Sequence, residues 1–220
     1  MISEYKIRDA NIGDIDFLIK ATIEADKVNR NISQYSKVFN ISEEDLEVVL
    51  RKIFLENVEG FELCVKSFLI AYINNEPIGA YGWWIEGLKG MPSHLLRISA
   101  FKSFLPMEHI IYFKSIAPII NQVAIKRDLH TLQFESIYVR EKYRGKGVVA
   151  SLVNSILEKA KSTYPMIKKA QVQLFRENEA SFHSHLKLGF HIIEEKISDD
   201  PLVKEYIGGK TRVKMEKKIF

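Results

Sequence analysis

Apolar positions recur along this chain first at helical spacing and later at strand spacing. Tyr5-Lys6-Ile7-Arg8 predicts a short strand, and Asp9-Ala10-Asn11 a turn. Ile15, Leu18, Ile19, Thr22 and Ile23 then share one face of a helix running from a cap at Asp14 to about Asn29. Ser42, with an acid three residues later at Asp45, opens a second helix to about Asn57. The period changes at Leu63. Leu63 to Ile73 is apolar and β-prone, Asn74-Asn75-Glu76-Pro77 is turn chemistry, and Ile78 to Ile85 predicts the returning strand of a hairpin. From Glu86 to Asp128 helical sets return, Leu95/Leu96/Ile98 and Ile110/Ile111/Phe113, broken by Pro92, Pro106 and Pro118. They predict two or three short helices inserted between strands.

Beyond this segment the elements alternate. Leu132 to Val139 predicts a strand, Val148 to Tyr164 a helix, and Ala170 to Phe175 a strand. Glu179 to Leu188 predicts a helix stopped by Gly189, and His191 to Ile197 and Val213 to Phe220 close the chain as strands. No repeat, low-complexity tract or linker divides residues 1–220, so one domain is expected.

Composition narrows the classes. With 46% hydrophobic and 27% charged residues, the chain has enough apolar material for a core. The net charge of +4 comes from bases scattered among acids, so no nucleic-acid partner is expected, although the bias suits an anionic ligand. The single cysteine, Cys64, allows no internal disulfide and reads as a small buried hydrophobe. The first residues lack a signal-peptide pattern and no apolar run is long enough to cross a bilayer. A cytoplasmic protein with no membrane partner is therefore expected, and the Asn-x-Ser triplets at Asn31 and Asn40 are read as chance matches. No metal site is expected, because His183 and His185, two apart on a helix, diverge.

The chemistry concentrates in Ile137 to Ala150, where a strand meets a helix through Gly145 and Gly147. Glycines let the backbone approach a phosphate, the helix start adds partial positive charge, and Arg144 and Lys146 add full charges. The plainer alternative is a surface turn whose glycines only start the helix. Gly145-Lys-Gly147-Val-Val-Ala150 also fits a dinucleotide fingerprint. Yet Arg140 to Arg144 separate it from the strand, and Pro165 to Val172 contains no acid for a ribose. Gly209-Lys210-Thr211 resembles the end of a nucleotide-binding loop whose first glycine would fall on Lys204, so that reading fails.

Arg144-Gly-Lys-Gly147-Val-Val149 resembles the loop of the GNAT superfamily of acetyltransferases, Arg/Gln-x-x-Gly-x-Gly/Ala, with Val149 where a small residue is usual. Asn178-Glu-Ala-Ser-Phe-His-Ser-His-Leu-Lys-Leu-Gly189-Phe190 is similar to the same family's Asn-x-x-Ala…Tyr-x-x-x-Gly-Phe segment. The resemblance covers Leu132 to Ile197. It implies an α/β (α+β) fold with a central mixed, mostly antiparallel sheet of six to seven strands flanked by helices. The helical insertion, about residues 87–130, falls between the third and fourth strands.

It also implies acetyl-CoA as cofactor, CoA as product, and direct transfer to an amine acceptor with no metal and no covalent enzyme intermediate. Ile137, Tyr138 and Val139 would pair with the pantetheine through backbone groups, and Asn178 would contact the same arm. The amides of Arg144, Gly145, Lys146, Gly147, Val148 and Val149 would hold the pyrophosphate. Glu135 falls where many relatives carry a glutamate. It is read as the general base, as an acceptor-binding carboxylate or as a solvated edge residue, sharing a face with Ile137 and Val139 by alternation. His185 falls on the family's tyrosine position and is read as the general acid or as a packing residue, with Tyr138 and Tyr143 as other donors.

The insertion, Gly87 to Arg127, is expected to wall the acceptor site. Alternatively, Phe101, Phe104, Ile110, Ile111, Tyr112 and Phe113 would supply a homodimer interface. Of Trp83 and Trp84, at least one is expected in the core. A catalytically silent acyl-CoA-binding sensor or partner protein is the alternative to an enzyme.

Overall fold

The computed structural model describes residues 5–28 and 30–219. The ends expected at Asn29 and Phe220, and the N-terminal residues Met1 to Glu4, lie outside them. Strands β1 (Lys6–Asp9), β2 (Phe68–Ile73), β3 (Glu76–Ile85), β4 (Leu132–Val139), β5 (Lys169–Phe175), β6 (His191–Ile197) and β7 (Thr211–Lys218) form one sheet. Their order is β1-β2-β3-β4-β5-β7-β6. Every neighbouring pair is antiparallel except β4 and β5.

Central strands such as β3 are apolar on both faces because both are covered. Ala80, Phe68 and Ile70 face helices α1 (Ile15–Asp26), α2 (Gln34–Phe39) and α3 (Glu43–Glu56) in one core. Tyr81, Trp83, Ile85 and Leu69 face α6 (Val148–Thr163) in the other. Both tryptophans are buried. Gly79 permits the second contact, since a Cβ there would stand 3.2 Å from Val148 Cγ1. Helix α7 (Glu179–Lys187) precedes β6, and α8 (Pro201–Ile207) precedes β7.

Two short helices are absent from the pattern-based reading. Six-residue α2 is held by the Ser33 cap and by Asn40 in the left-handed region at its end. Helix α8 has an Asp200 cap, Pro201 at its first turn and Gly208 at its C-terminus, signals visible in sequence but outweighed by its length.

The insertion forms α4 (Ser93–Phe104) and α5 (Met107–Ile120). Pro118 does not break α5: it sits exposed in the last turn, beside exposed Lys114, where the freed carbonyl meets water. The aromatic residues expected to form an interface mostly turn inward. Phe39 of α2 stacks on Phe101 at 4.5 Å and on Phe113 at 5.1 Å, and Ile110 is buried. Of the six residues named for that interface, only Ile111 is exposed, and the others are buried or half-buried.

Strand β4 carries the decisive irregularity. Gly82 pairs with Glu135 and Ala80 with Tyr138, so one residue of β3 faces two of β4, and Ser136 adopts φ +58°. Simple alternation is therefore corrected. Glu135 shares its face with Tyr138, towards α1, while Ile137 and Val139 turn to the α6 side. Position 82 must stay glycine, because a Cβ would approach the Glu135 carbonyl oxygen to 2.8 Å. Beyond the bulge β4 also loses β5, with pairing ending at Phe134 and Val172. The two strand ends splay into a V.

Candidate active site

The V opens a cleft of about 1090 Å³ between β4, β5, the loop after β4, α6 and α7. Ile137, Tyr138 and Val139 line it along one wall, and their β5-facing backbone groups have no strand partner. Gly145 and Gly147 line the loop end with φ of +72° and +80°, which L side chains rarely adopt. A Cβ on Gly145 would meet nothing within 4 Å, and one on Gly147 only Tyr5 Oη at 3.7 Å. The loop is thus an open cradle, and the glycines are not there for internal packing.

Among the described residues, the amides of Gly145, Lys146, Gly147, Val148, Val149 and Ala150 donate to no protein acceptor. These are donors of the loop and first turn of α6, a geometry that suits a diphosphate. Arg144 differs from expectation. Its amide donates to Glu141 at 3.0 Å and its Nε to the Val139 carbonyl at 3.1 Å, so it braces the loop and leaves only its terminal nitrogens for a ligand. Val149 lines the cleft while Val148 packs into the α6 core. Asn178 lines the cleft, and its side-chain oxygen caps α7 by accepting from Ser181 N at 3.3 Å.

His185 is 1% exposed and both ring nitrogens are committed. Nδ1 lies 2.7 Å from the Ser181 carbonyl, which can only accept, so Nδ1 carries the proton. Nε2 therefore accepts from the Tyr81 hydroxyl at 2.6 Å. Burial lowers the His185 pKa and raises that of Tyr81 well above 10, so both are neutral at pH 7. The imidazole thus has no free proton to give to a ligand. Tyr81 lines this part of the cleft with its hydrogen donated to His185, and its position in an apolar strand hides it among core residues.

Glu135 is not a solvated edge residue. Arg127 Nη2 bonds its Oε2, and Arg97 Nη1 lies 3.6 Å from Oε1. Burial alone would raise its pKa; Arg127, Arg97 and Arg212 outweigh that and hold the carboxyl below the usual range. Arg97 also bonds buried Glu62 at 2.6 Å, and the Arg127 guanidinium lies 5.2 Å from the Trp84 ring. Both arginines come from the insertion, which therefore reaches the site. None of Tyr81, Glu62, Arg97, Arg127 and Arg212 carries a local sequence signal, because their partners are brought to them by the fold, most of them from far along the chain.

Asp26, at the end of α1, also lines the cleft. It accepts from Ser33 Oγ at 2.6 Å, Tyr35 N at 2.8 Å and Gln34 Nε2 at 3.0 Å, tying α1 to α2. Burial raises its pKa to about 6 from an ordinary 3.8. Between those values the folded protein binds more protons at this site than the unfolded chain, so stability falls as pH rises through the window. Relative to Asp26→Asn, the wild type is expected to lose melting temperature from pH 4 to pH 6.5, with a constant difference above. A difference independent of pH would place the Asp26 pKa in the ordinary range.

Among the described residues no group of His, Cys, Asp and Glu is gathered to hold a metal, and no helix is long and apolar enough to cross a membrane.

The model of the acetyltransferase (GNAT) family matches residues 33–190. No curated protein matches the chain. Several solved structures share its fold at low identity. An N-acetyltransferase from Staphylococcus aureus Mu50 is 17% identical with a TM-score of 0.66, over 96% of this chain and 100% of that one. An acetyltransferase of the GNAT family from Streptococcus pneumoniae is 15% identical with a TM-score of 0.52, over 99% and 100%. A spermidine N-acetyltransferase chimera from Vibrio cholerae and hSSAT is 15% identical with a TM-score of 0.52, over 99% and 97%. The match over most of the chain, on the same segments that build the cleft, shows that this protein belongs to the acetyltransferase (GNAT) family.

Proposed function

We propose that the protein is a single-domain, acetyl-CoA-dependent N-acetyltransferase that moves the acetyl group directly to a primary amine. The observation that carries this reading is the run of amides from Gly145 to Ala150, free of protein acceptors among the described residues and beside a β4 edge that β5 has left. An extended amide-bearing arm can pair with that edge while its diphosphate meets the loop, a division of labour that suits CoA. Acetyl-CoA supplies an activated thioester, and the amine nitrogen forms the new C–N bond as the C–S bond breaks.

The protein's own task is then to manage two protons. Glu135, kept ionised by its arginines, orders the acceptor amine or a water that carries its proton away. The sulfur takes its proton from the Tyr81 hydroxyl, which turns from His185 Nε2 towards the sulfur as the C–S bond breaks and which solvent re-protonates after release. His185 thus replaces a donor by positioning one. Tyr81 fits because its oxygen stands 2.6 Å beyond the imidazole edge, where a longer side chain at position 185 would reach.

Release of free thiol from acetyl-CoA over a panel of primary amines tests this reading. Tyr81→Phe is expected to lower kcat by about 100-fold with little change in the KM for acetyl-CoA. His185→Phe is expected to lower it less and to alter the pH profile. Wild-type protein that binds acetyl-CoA without amine-dependent thiol release would favour the silent acyl-CoA sensor. Wild-type kcat in Tyr81→Phe would remove Tyr81 from the reaction.

A further inference from the structure

The acceptor end of the cleft holds a guanidinium that, among the described residues, no side chain hydrogen-bonds or pairs with. Four of its charges close on themselves: Glu62, Arg97, Glu135 and Arg127 alternate in sign, joined at 2.6 Å, at 3.6 Å and by the Arg127–Glu135 bond. Asp26 commits its oxygens to Ser33, Gln34 and Tyr35. Arg212 is left over.

Arg212 enters at the start of β7, paired with Phe175 of β5, and lines the same cleft as Glu135, Asp26 and Tyr35. Its guanidinium lies 4.9 Å from the centroid of the Phe175 ring, a cation–π contact that restricts the side chain. Among the described residues it makes no hydrogen bond and no ion pair. Burial pulls its pKa down to about 10, which leaves it a full cation at neutral pH. A partly desolvated guanidinium with no acceptor is costly on its own and is well placed to bind one.

We propose that the acceptor is an amine that also carries a carboxylate, with the carboxylate held by Arg212 and the amino group presented towards Glu135. A carboxylate matches the planar fork with two parallel hydrogen bonds and cancels its single charge. A phosphate would bring a second negative charge into a cleft already lined by Glu135 and Asp26. A polyamine would bring its far ammonium against Arg212 and the neighbouring Arg97 and Arg127. Free amino acids, ω-amino acids and short peptides with a free carboxyl-terminus share the required chemistry.

This inference rests on the acetyltransferase reading, and the experiment separates the two. Acetyl-CoA affinity is measured first by calorimetry for the wild type, Arg212→Gln and Arg212→Lys; equal values also show that the variants fold. Thiol release is then compared for amino acids against their own amides, and for polyamines. In the wild type, kcat/KM for the acid is expected to exceed that for its amide by about 100-fold. The ratio should fall below about tenfold in Arg212→Gln and to an intermediate value in Arg212→Lys, which keeps the charge without the fork. Absent acetyl-CoA binding overturns the acetyltransferase reading itself. With binding intact, any of three results overturns the inference alone: amides or polyamines used as well as acids, a preference unchanged in Arg212→Gln, or no turnover of any acidic amine.

Discussion

Gly147→Trp is expected to weaken acetyl-CoA binding by about 100-fold or more, which corresponds to roughly 3 kcal/mol, while the protein stays folded. The backbone at Gly147 has φ +80°, so any side chain there costs about 1–2 kcal/mol of strain. Such a cost is tolerable for a whole domain, and the new Cβ meets no atom nearer than 3.7 Å. The indole has one place to go, the open cradle in front of the amides of Gly145 to Ala150. It would fill the volume that a diphosphate needs.

Gly147→Ala separates the two contributions, since it carries the same strain with almost no bulk. Calorimetric titration with acetyl-CoA should give a modest loss for alanine and a near-complete loss for tryptophan. Equal losses would assign the effect to strain, and a tryptophan variant that binds like wild type would place the cofactor elsewhere. Gly79 makes the contrast. A Cβ there stands 3.1 Å from the Tyr138 carbonyl, so substitution would disturb the sheet before it touched a ligand.

The loop was legible in sequence because its signals are local: two glycines, flanking bases and a helix start within a few residues. For the same reason the bounds expected for β4 and β6 match the structure. Glu135 was identified as a site residue, yet alternation put it on the wrong face. The bulge at Ser136 inverts the parity of β4, and a serine at positive φ gives no warning in sequence. The Tyr81–His185 bond spans 104 positions, and a tyrosine among apolar strand residues looks like core. Charge partners were hidden in the same way, since Arg97 meets Glu62 across 35 positions and only the docking of α4 brings them together.

That docking makes Arg97 the side chain whose loss should cost the fold most. Glu62 is fully buried, its Oε1 accepts from Arg97 at 2.6 Å, and its Oε2 has no partner among the described residues. Arg97→Met would leave a carboxylate in the interior without its cation, a situation that typically costs about 3–5 kcal/mol. For a domain of this size the melting temperature should fall by roughly 10 °C. Burial already raises the Glu62 pKa against the pull of Arg97, and removal of the cation raises it further. The variant can then escape part of the penalty by taking up a proton. Its deficit relative to wild type should be small near pH 5 and grow towards pH 8, because over that range the folded state holds a proton that the unfolded chain has already released. Glu62→Gln added to Arg97→Met removes the charge outright and should flatten that pH dependence while restoring part of the stability. A deficit below about 1 kcal/mol at pH 8, or one that does not change with pH, would mean that water reaches Glu62 and that α4 is held by its aromatic contacts alone.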